Sequence, residues 1–275
     1  MDYKEKVKHG TPGFPFKIYK NGLDLYSHYH REFEILYIRQ GKGCAYIDDK
    51  CLLAQPGDVF FINSGQLHGI VSDGDEKGEF TAFVFAPEFL GEFDDVFTKY
   101  VLPVTKNAIS IPTKPENNPL LVQALEELSA NYEEKFFELN AKSMMFKIWQ
   151  LLLSASTPCS TAPKDDSLRE IKIAIDYIQH NHQQNISLAD LAKLTHMSRV
   201  YFCKKFTKAV GISPIEYLIR VRIEKSCQML KDTGRSIGSI ATECGFPSFS
   251  YYSKMFKRIM DCTPSQYRSS KIPTP

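Results

Sequence analysis

Residues 236–267 read SIGSIATECGFPSFSYYSKMFKRIMDCTPSQY, and residues 187–217 read SLADLAKLTHMSRVYFCKKFTKAVGISPIEY. They are two copies of one pattern. Leu188, Leu191 and Ala192 return as Ile237, Ile240 and Ala241, 49 residues later. Tyr201, Lys204, Phe206, Pro214 and Tyr217 return as Tyr251, Lys254, Phe256, Pro264 and Tyr267, 50 residues later. One residue is therefore inserted at the turn of the second copy.

Each copy carries the signals of two short helices joined by a turn. Ser187 is a helix N-cap with Asp190 three residues on, and Ser236 takes its place in the second copy. Ala192 and Ala241 are small where a second helix must cross closely. Gly245 suits the positive φ of the turn, whereas His196 leaves the first turn less clearly marked. Ser198 and Ser248 cap second helices predicted over Arg199–Ala209 and Phe249–Met260. Ser213-Pro214 and Thr263-Pro264 each place proline after an N-cap, which starts a further helix. One such helix runs from Pro214 to Leu230 and stops at Gly234.

Two helix-turn-helix units result, and the second helix of such a unit lies in the major groove of double-stranded DNA. Phe202 and Phe206, like Tyr252 and Phe256, fall at i, i+4 and face inward. Arg199, Val200, Cys203, Lys204 and Thr207 then point outward, as do Phe249, Ser250, Ser253, Lys254 and Lys257. Lysine can donate to guanine, and serine can meet base edges or phosphates. For any single one of Lys204, Lys205, Lys257 and Arg258, contact with phosphate or solvent alone is the commoner role.

Charge divides the chain in the same place. From Leu168 onward there are 17 basic and 8 acidic residues, a net +9; the remainder carries 17 against 24, a net −7. The basic half suits a polyanion. Residues 155–167, ASTPCSTAPKDDS, are small, polar and proline-bearing. The expected organisation is a domain over 1–155, a linker over 156–167 and an all-α domain over 168–270. No apolar run approaches the roughly 18 residues that cross a bilayer, and the charged start MDYKEK lacks a secretion signal's apolar region. Seven cysteines without a C-x-x-C pair point to reduced, buried thiols and a cytoplasmic location.

The first domain opens with short apolar runs: Phe33–Arg39, Cys44–Ile47, Lys50–Ala54, Val59–Ile62 and Phe80–Phe85. Gly41, Gly43, Asp48-Asp49 and Pro56-Gly57-Asp58 punctuate them, which predicts a sandwich or barrel. Pro119–Ser154 changes to three- and four-residue spacing. Two amphipathic helices joined near Glu138-Leu139-Asn140 are expected, either closing the barrel or forming a dimer interface. His28, His30 and Glu34 sit at even positions of a stretch that reads as strand, so they share one face. His68 follows a later strand and turn. Three imidazoles and a carboxylate suit a divalent metal. They equally suit the polar lining of an effector pocket, or histidines at a barrel mouth with no role. Tyr37 and Tyr46, with Tyr26 and Phe60, are candidates to stack on a bound ring or to fill the core.

Residues 168–270 resemble the DNA-binding domain of AraC/XylS-type bacterial transcription regulators. The resemblance rests on Leu188-Ala189-Asp190-Leu191-Ala192, on Gly211-x-Ser213-Pro214 and on Ile240-Ala241-x-x-Cys244-Gly245-Phe246 running to Tyr252-x-Lys254-x-Phe256. Lys204 and Lys254 stand where that family more often has arginine. The spacing Gly22-x5-His28-x-His30-x3-Glu34-x6-Gly41, then Gly57-x5-Asn63-x-Gly65-x2-His68, resembles the cupin signature. There Asn63 replaces the usual proline and Ser72 the usual asparagine. The resemblance implies an α+β protein of two domains: a cupin-like barrel with a helical hairpin, and an all-α double helix-turn-helix. It implies a regulator that binds DNA and a small effector, a sugar or metabolite, as a homodimer. His28, His30, Glu34, His68, Tyr37 and Tyr46 are its candidate effector contacts, and the first four its candidate metal ligands. No cofactor is required, no membrane partner is expected and no catalytic residue is assigned. The competing reading is a metal-dependent cupin enzyme, or a metal-dependent sensor, fused to a DNA-binding domain. The sequence holds no Gly-rich phosphate loop and no recognisable nucleophile triad.

Overall fold

The computed structural model describes residues 9–11, 13–22, 25–48, 50–73, 78–91, 95–116, 118–132, 134–158 and 168–269. Asp49 and residues 159–167 of the expected linker lie outside them. The chain divides into two compact units, 1–167 and 168–275.

The first unit is built on two four-stranded antiparallel sheets. In one, β1 (Phe16–Gly22), β8 (Glu79–Phe85), β3 (Phe33–Gln40) and β6 (Val59–Ile62) lie in that order. In the other, β2 (Leu25–His28), β7 (His68–Ser72), β4 (Gly43–Ile47) and β5 (Lys50–Ala54) do. Side chains alternate across each strand. Leu36, Ile38, Phe60, Ile62, Phe80 and Val84 of the first sheet meet Ala45, Ile47, Ala54 and Ile70 of the second, and these fill the barrel interior.

The first sheet is covered on its other face as well. Phe33, Ile35, Phe61, Phe83 and Phe85 pack against helices α2 (Pro119–Ala130) and α3 (Phe137–Ser154) through Leu125, Leu128, Met145, Ile148 and Trp149. Burial on both faces explains why β3 is apolar almost continuously and does not alternate. Among the connecting elements are a 3-10 turn (Pro87–Leu90), a π-helical turn (Phe97–Val101), a short helix α1 (Leu102–Thr105) and β9 (Ile109–Ser110). β9 pairs with β10 (Thr157–Pro158), so the first residues of the expected linker belong to the barrel domain's structure.

Three expectations are corrected. The helices join over residues 131–136, and Glu138-Leu139-Asn140 lie inside α3. Phe137 packs edge-on against Tyr132 with ring centroids 5.0 Å apart, which fixes the start of α3 there, and Phe136 before it adopts a left-handed conformation. His28, His30 and Glu34 are not on one strand: the chain crosses from the second sheet to the first between His28 and Phe33. Cys44 and Cys51 are joined as a disulfide across the β4–β5 hairpin, with Cα atoms 5.9 Å apart, rather than reduced. Tyr46 pairs with Cys51 and Cys44 with Leu53, so the two cysteines are diagonal neighbours, a relation that only the hairpin register reveals.

The second unit is helical: α4 (Arg169–Asn181), α5 (Leu188–Leu194), α6 (Arg199–Val210), α7 (Pro214–Asp232), α8 (Ile237–Glu243), α9 (Phe249–Met260) and α10 (Pro264–Ser269). The serines act as their spacing predicts. Ser187 and Asp190 form a capping box, and Ser198, Ser213, Ser236 and Ser248 each accept a backbone N–H three residues on. Ile223, Cys227 and Leu230 of α7 pack with Ile240, Ala241, Tyr252 and Phe256, so the connecting helix is also the floor of the second helix-turn-helix. Both turns contain a left-handed residue, His196 at φ 55° and Gly245 at φ 83°. The turn that sequence marked weakly therefore has the same backbone geometry.

Candidate nucleic-acid interface and barrel site

α6 and α9 present equivalent outer faces. Phe202 and Phe206 of α6, and Tyr252 and Phe256 of α9, are fully buried, which fixes the rotation of each helix. Arg199, Val200, Lys204 and Thr207 are consequently exposed, and so are Phe249, Ser250, Lys254 and Lys257; Cys203 and Ser253 are half-buried at the edges of the faces. Val200 is 69% and Phe249 54% exposed. Apolar groups held in water on a recognition helix are the groups that meet thymine methyls in a major groove. Tyr201 and Tyr251 are also exposed, one beside each set. Sequence reasoning took them as repeat markers; their absence from the inward i, i+4 pairs was the available signal.

Two cations on these helices serve the fold instead. Lys205 Nζ donates to Glu170 at 3.1 Å. Arg258 donates from Nη2 to both carboxylate oxygens of Glu216, at 2.9 Å (Oε1) and 2.8 Å (Oε2). Arg222, buried on α7, donates to the carbonyls of His182 (2.7 Å) and Gln184 (2.8 Å) just beyond α4 and lies over the Phe246 ring. It thereby ties α4 to the turn of the second helix-turn-helix. Burial is the main cause that lowers the His182 imidazole from its ordinary pKa.

In the barrel the structure brings together His28, His30, Glu34 and His68. His28 ends β2 and His68 begins β7 as its direct cross-strand partner, with ring centroids 4.3 Å apart. His30 lies in the crossing between sheets, and Glu34 comes from β3. His30, Glu34 and His68 are at most 3% exposed, and His28 is half-buried. Glu34 Oε2 is 3.0 Å from His30 Nε2 and 3.1 Å from His68 Nε2. Burial pushes the Glu34 carboxyl up, but the charge of His68 and hydrogen bonds from both rings outweigh it and hold it well below the usual carboxylate range. Each of the four residues offers one ligand atom, and all four atoms lie within 4.8 Å of one another. A transition metal is therefore a chemically fitting occupant.

Tyr37 and Tyr46 are not part of this group. Tyr37 is on the other face of β3, where its hydroxyl donates to Glu126 of α2 at 2.7 Å. Its pKa is raised to about 12 by burial and by that carboxylate. Tyr46 alternates with the inward-facing Ala45 and Ile47 and is turned away from the interior they fill. The expectation that these tyrosines line the same pocket as the histidines is corrected: odd and even positions of a strand cannot share a face.

The two units and the two helix faces define a class, a helix-turn-helix protein with a separate β-barrel domain. Residues 191–270 match the family described as a helix-turn-helix domain, and residues 21–148 that of the AraC-like ligand binding domain. The chain belongs to the AraC-type family of DNA-binding transcription regulators with a ligand-binding domain. It is similar to the uncharacterized HTH-type transcriptional regulator YdeC of Bacillus subtilis, 22% identical over 98% of this chain and 96% of the relative. It is 24% identical to the raffinose operon transcriptional regulatory protein RafR of Pediococcus pentosaceus, over 86% of this chain and 85% of that one. Among solved structures, apo ToxT K231A of Vibrio cholerae aligns over 95% of this chain and 98% of its own, with 17% identity and a TM-score of 0.46. Among the described residues no helix is long and apolar enough to cross a membrane.

Proposed function

We propose that this protein is a sequence-specific, ligand-responsive transcription regulator of the bacterial cytoplasm and not an enzyme. It acts as a homodimer whose barrel binds a small effector. The observation that carries the reading is the pair of duplicated helices, α6 and α9, which turn equivalent exposed faces outward on one basic unit. Arg199, Val200, Cys203, Lys204 and Thr207 form one reading face, and Phe249, Ser250, Ser253, Lys254 and Lys257 the other. An effector changes DNA binding only by preferring one arrangement of the protein over another. The raffinose-operon relative makes sugars the first effector class to screen.

A gel-shift series with promoter fragments recovered by genome-wide mapping of its binding, and with random DNA, tests this. The promoter should be preferred, and affinity for both should fall steeply with salt as phosphate contacts are lost. Equal affinity for both DNAs contradicts the reading.

A further inference from the structure

We propose that Cys44 and Cys51 form a reversible redox-modification site on the outside of the barrel, one that exchanges with small thiols and their disulfides.

The hairpin register places both sulfurs. Ala45, Ile47, Leu52 and Ala54 turn toward the barrel interior. Cys44 and Cys51 alternate with them and so turn outward. Cys51 is exposed and Cys44 half-buried. β5, which carries Cys51, ends its sheet and pairs with β4 alone among the described strands. A thiol in water therefore has access to the Cys51 sulfur. Exposed disulfides of this kind are the labile ones, with potentials above those of structural bridges.

The hairpin does not depend on the bond for its shape. β4 and β5 are in register over five residue pairs. At the turn, Asp48 N donates to the Leu67 carbonyl at 2.7 Å, and Asp48 Oδ2 accepts from Gln66 Nε2 at 2.8 Å. Toward the other end of β5, Lys114 Nζ donates to the Leu53 carbonyl at 2.9 Å. The cysteines are only seven residues apart, so their bond restricts the unfolded chain less than a long-range bridge would. After reduction the two thiols stay diagonal neighbours, and proximity favours re-forming their own bond. A DNA-binding role sets the chain where small thiols are abundant and where disulfides are mostly transient or redox-sensing. That last step rests on the regulatory reading; the exchange chemistry does not.

In reduction, a small thiolate attacks Cys51 Sγ. A mixed disulfide forms there, and Cys44 leaves as a thiolate that takes up a proton. A second small thiolate attacks the outer sulfur of the mixed disulfide. The small disulfide departs, and Cys51 is released and protonated. Two small thiols have become one disulfide, and the protein bond has become two thiols. The reverse sequence, with the small disulfide as oxidant, restores the bond.

The test equilibrates the full chain with glutathione buffers running from reduced to oxidised, followed by acid quenching, alkylation and peptide mapping. The Cys44–Cys51 bond should open and re-form completely across the series, reaching the same end point from either side. Cys227 and Cys244, both buried, should remain thiols throughout. A bond that persists in reduced glutathione is purely structural, and a pair that stays reduced in oxidised glutathione forms no bond; either overturns the proposal. Pairing of Cys44 or Cys51 with any other cysteine overturns it too. Oxidised glutathione should modify Cys51 in Cys44→Ser at least about tenfold faster than Cys44 in Cys51→Ser, because access governs exchange. Equal rates would contradict Cys51 as the attacked sulfur. Should a variant fail to fold, the wild-type series decides. Gel shifts on the same samples score the regulatory reading separately.

Discussion

A Cβ built on Gly245 would lie 2.7 Å from the carbonyl oxygen of His182 and 2.6 Å from that of Gln183, whereas His196 occupies the matching left-handed turn position in the first helix-turn-helix. The second turn is pressed against the end of α4, the same segment that Arg222 holds through the His182 carbonyl. Gly245→Ala therefore costs twice, through the clash and through left-handed backbone strain of about 1–2 kcal/mol. The expected loss is about 2–4 kcal/mol in urea unfolding, in the range of strain and overpacking mutations. His196→Gly should be neutral or stabilising by up to about 1 kcal/mol, because it relieves strain but frees the unfolded chain. Equal losses at both positions would show that the packing against α4 is not what distinguishes them.

Lys204→Ala and Lys254→Ala are expected to weaken promoter binding by about 1–3 kcal/mol each if they reach bases, with relaxed specificity at the contacted step. A phosphate role predicts instead a uniform loss and a salt slope shallower by about one. Lys205→Ala should leave DNA affinity within twofold, because its charge is engaged by Glu170. Titrations at several salt concentrations separate these outcomes.

Tyr37→Phe removes the hydroxyl donated to Glu126 and so loosens β3 from α2. A loss of about 0.5–1.5 kcal/mol is expected in thermal or urea unfolding. Effector response should not change, since the side chain faces away from the histidines. An altered effector response with unchanged stability would return Tyr37 to the ligand site.

Cysteine chemistry should sort by burial. Burial raises the Cys227 thiol to about 12 and the Cys244 thiol to about 11, so both stay protonated and unreactive at pH 8.5. Cys203 is half-buried on the outer side of α6. Brief native alkylation followed by peptide mapping should label Cys203 ahead of Cys227 and Cys244. Cys44 and Cys51 should label only after reduction. Rapid labelling of Cys227 would mean that the floor of the second helix-turn-helix opens readily.

The helical unit was largely legible because its signals are local. Ser198, Ser213 and Ser248 act within three residues of themselves, and the duplication supplied a second reading of each element. The barrel was less so. β3 to β6 and β8 announced themselves by apolar runs. β1 and β7 did not, because Lys17, Lys20 and His68 break their apolar character, and β2 was read only as part of one strand running on through His28 to Glu34. α4 also went unassigned: its stripe of Ile171, Ile175 and Ile178 is diluted by charge on the other face. For the candidate site, residue types and spacing singled out four side chains that do converge, but for a wrong geometric reason. They converge through a sheet-to-sheet crossing and the direct pairing of His28 with His68, relations between distant strands that periodicity does not encode. Tyr37 and Tyr46 were misplaced for the same reason, since which face of a strand points inward follows from its neighbours.

On the proposed reading, α6 and α9 read two separate DNA segments. Selection of binding sites from a random-sequence DNA library by the full chain tests it most directly. Enriched sequences should contain two preferred blocks about one helical turn, 10–10.5 base pairs, apart. Repeating the selection with Lys204→Ala should blur one block, and with Lys254→Ala the other. A single block, or two blocks that neither substitution changes, would contradict the account.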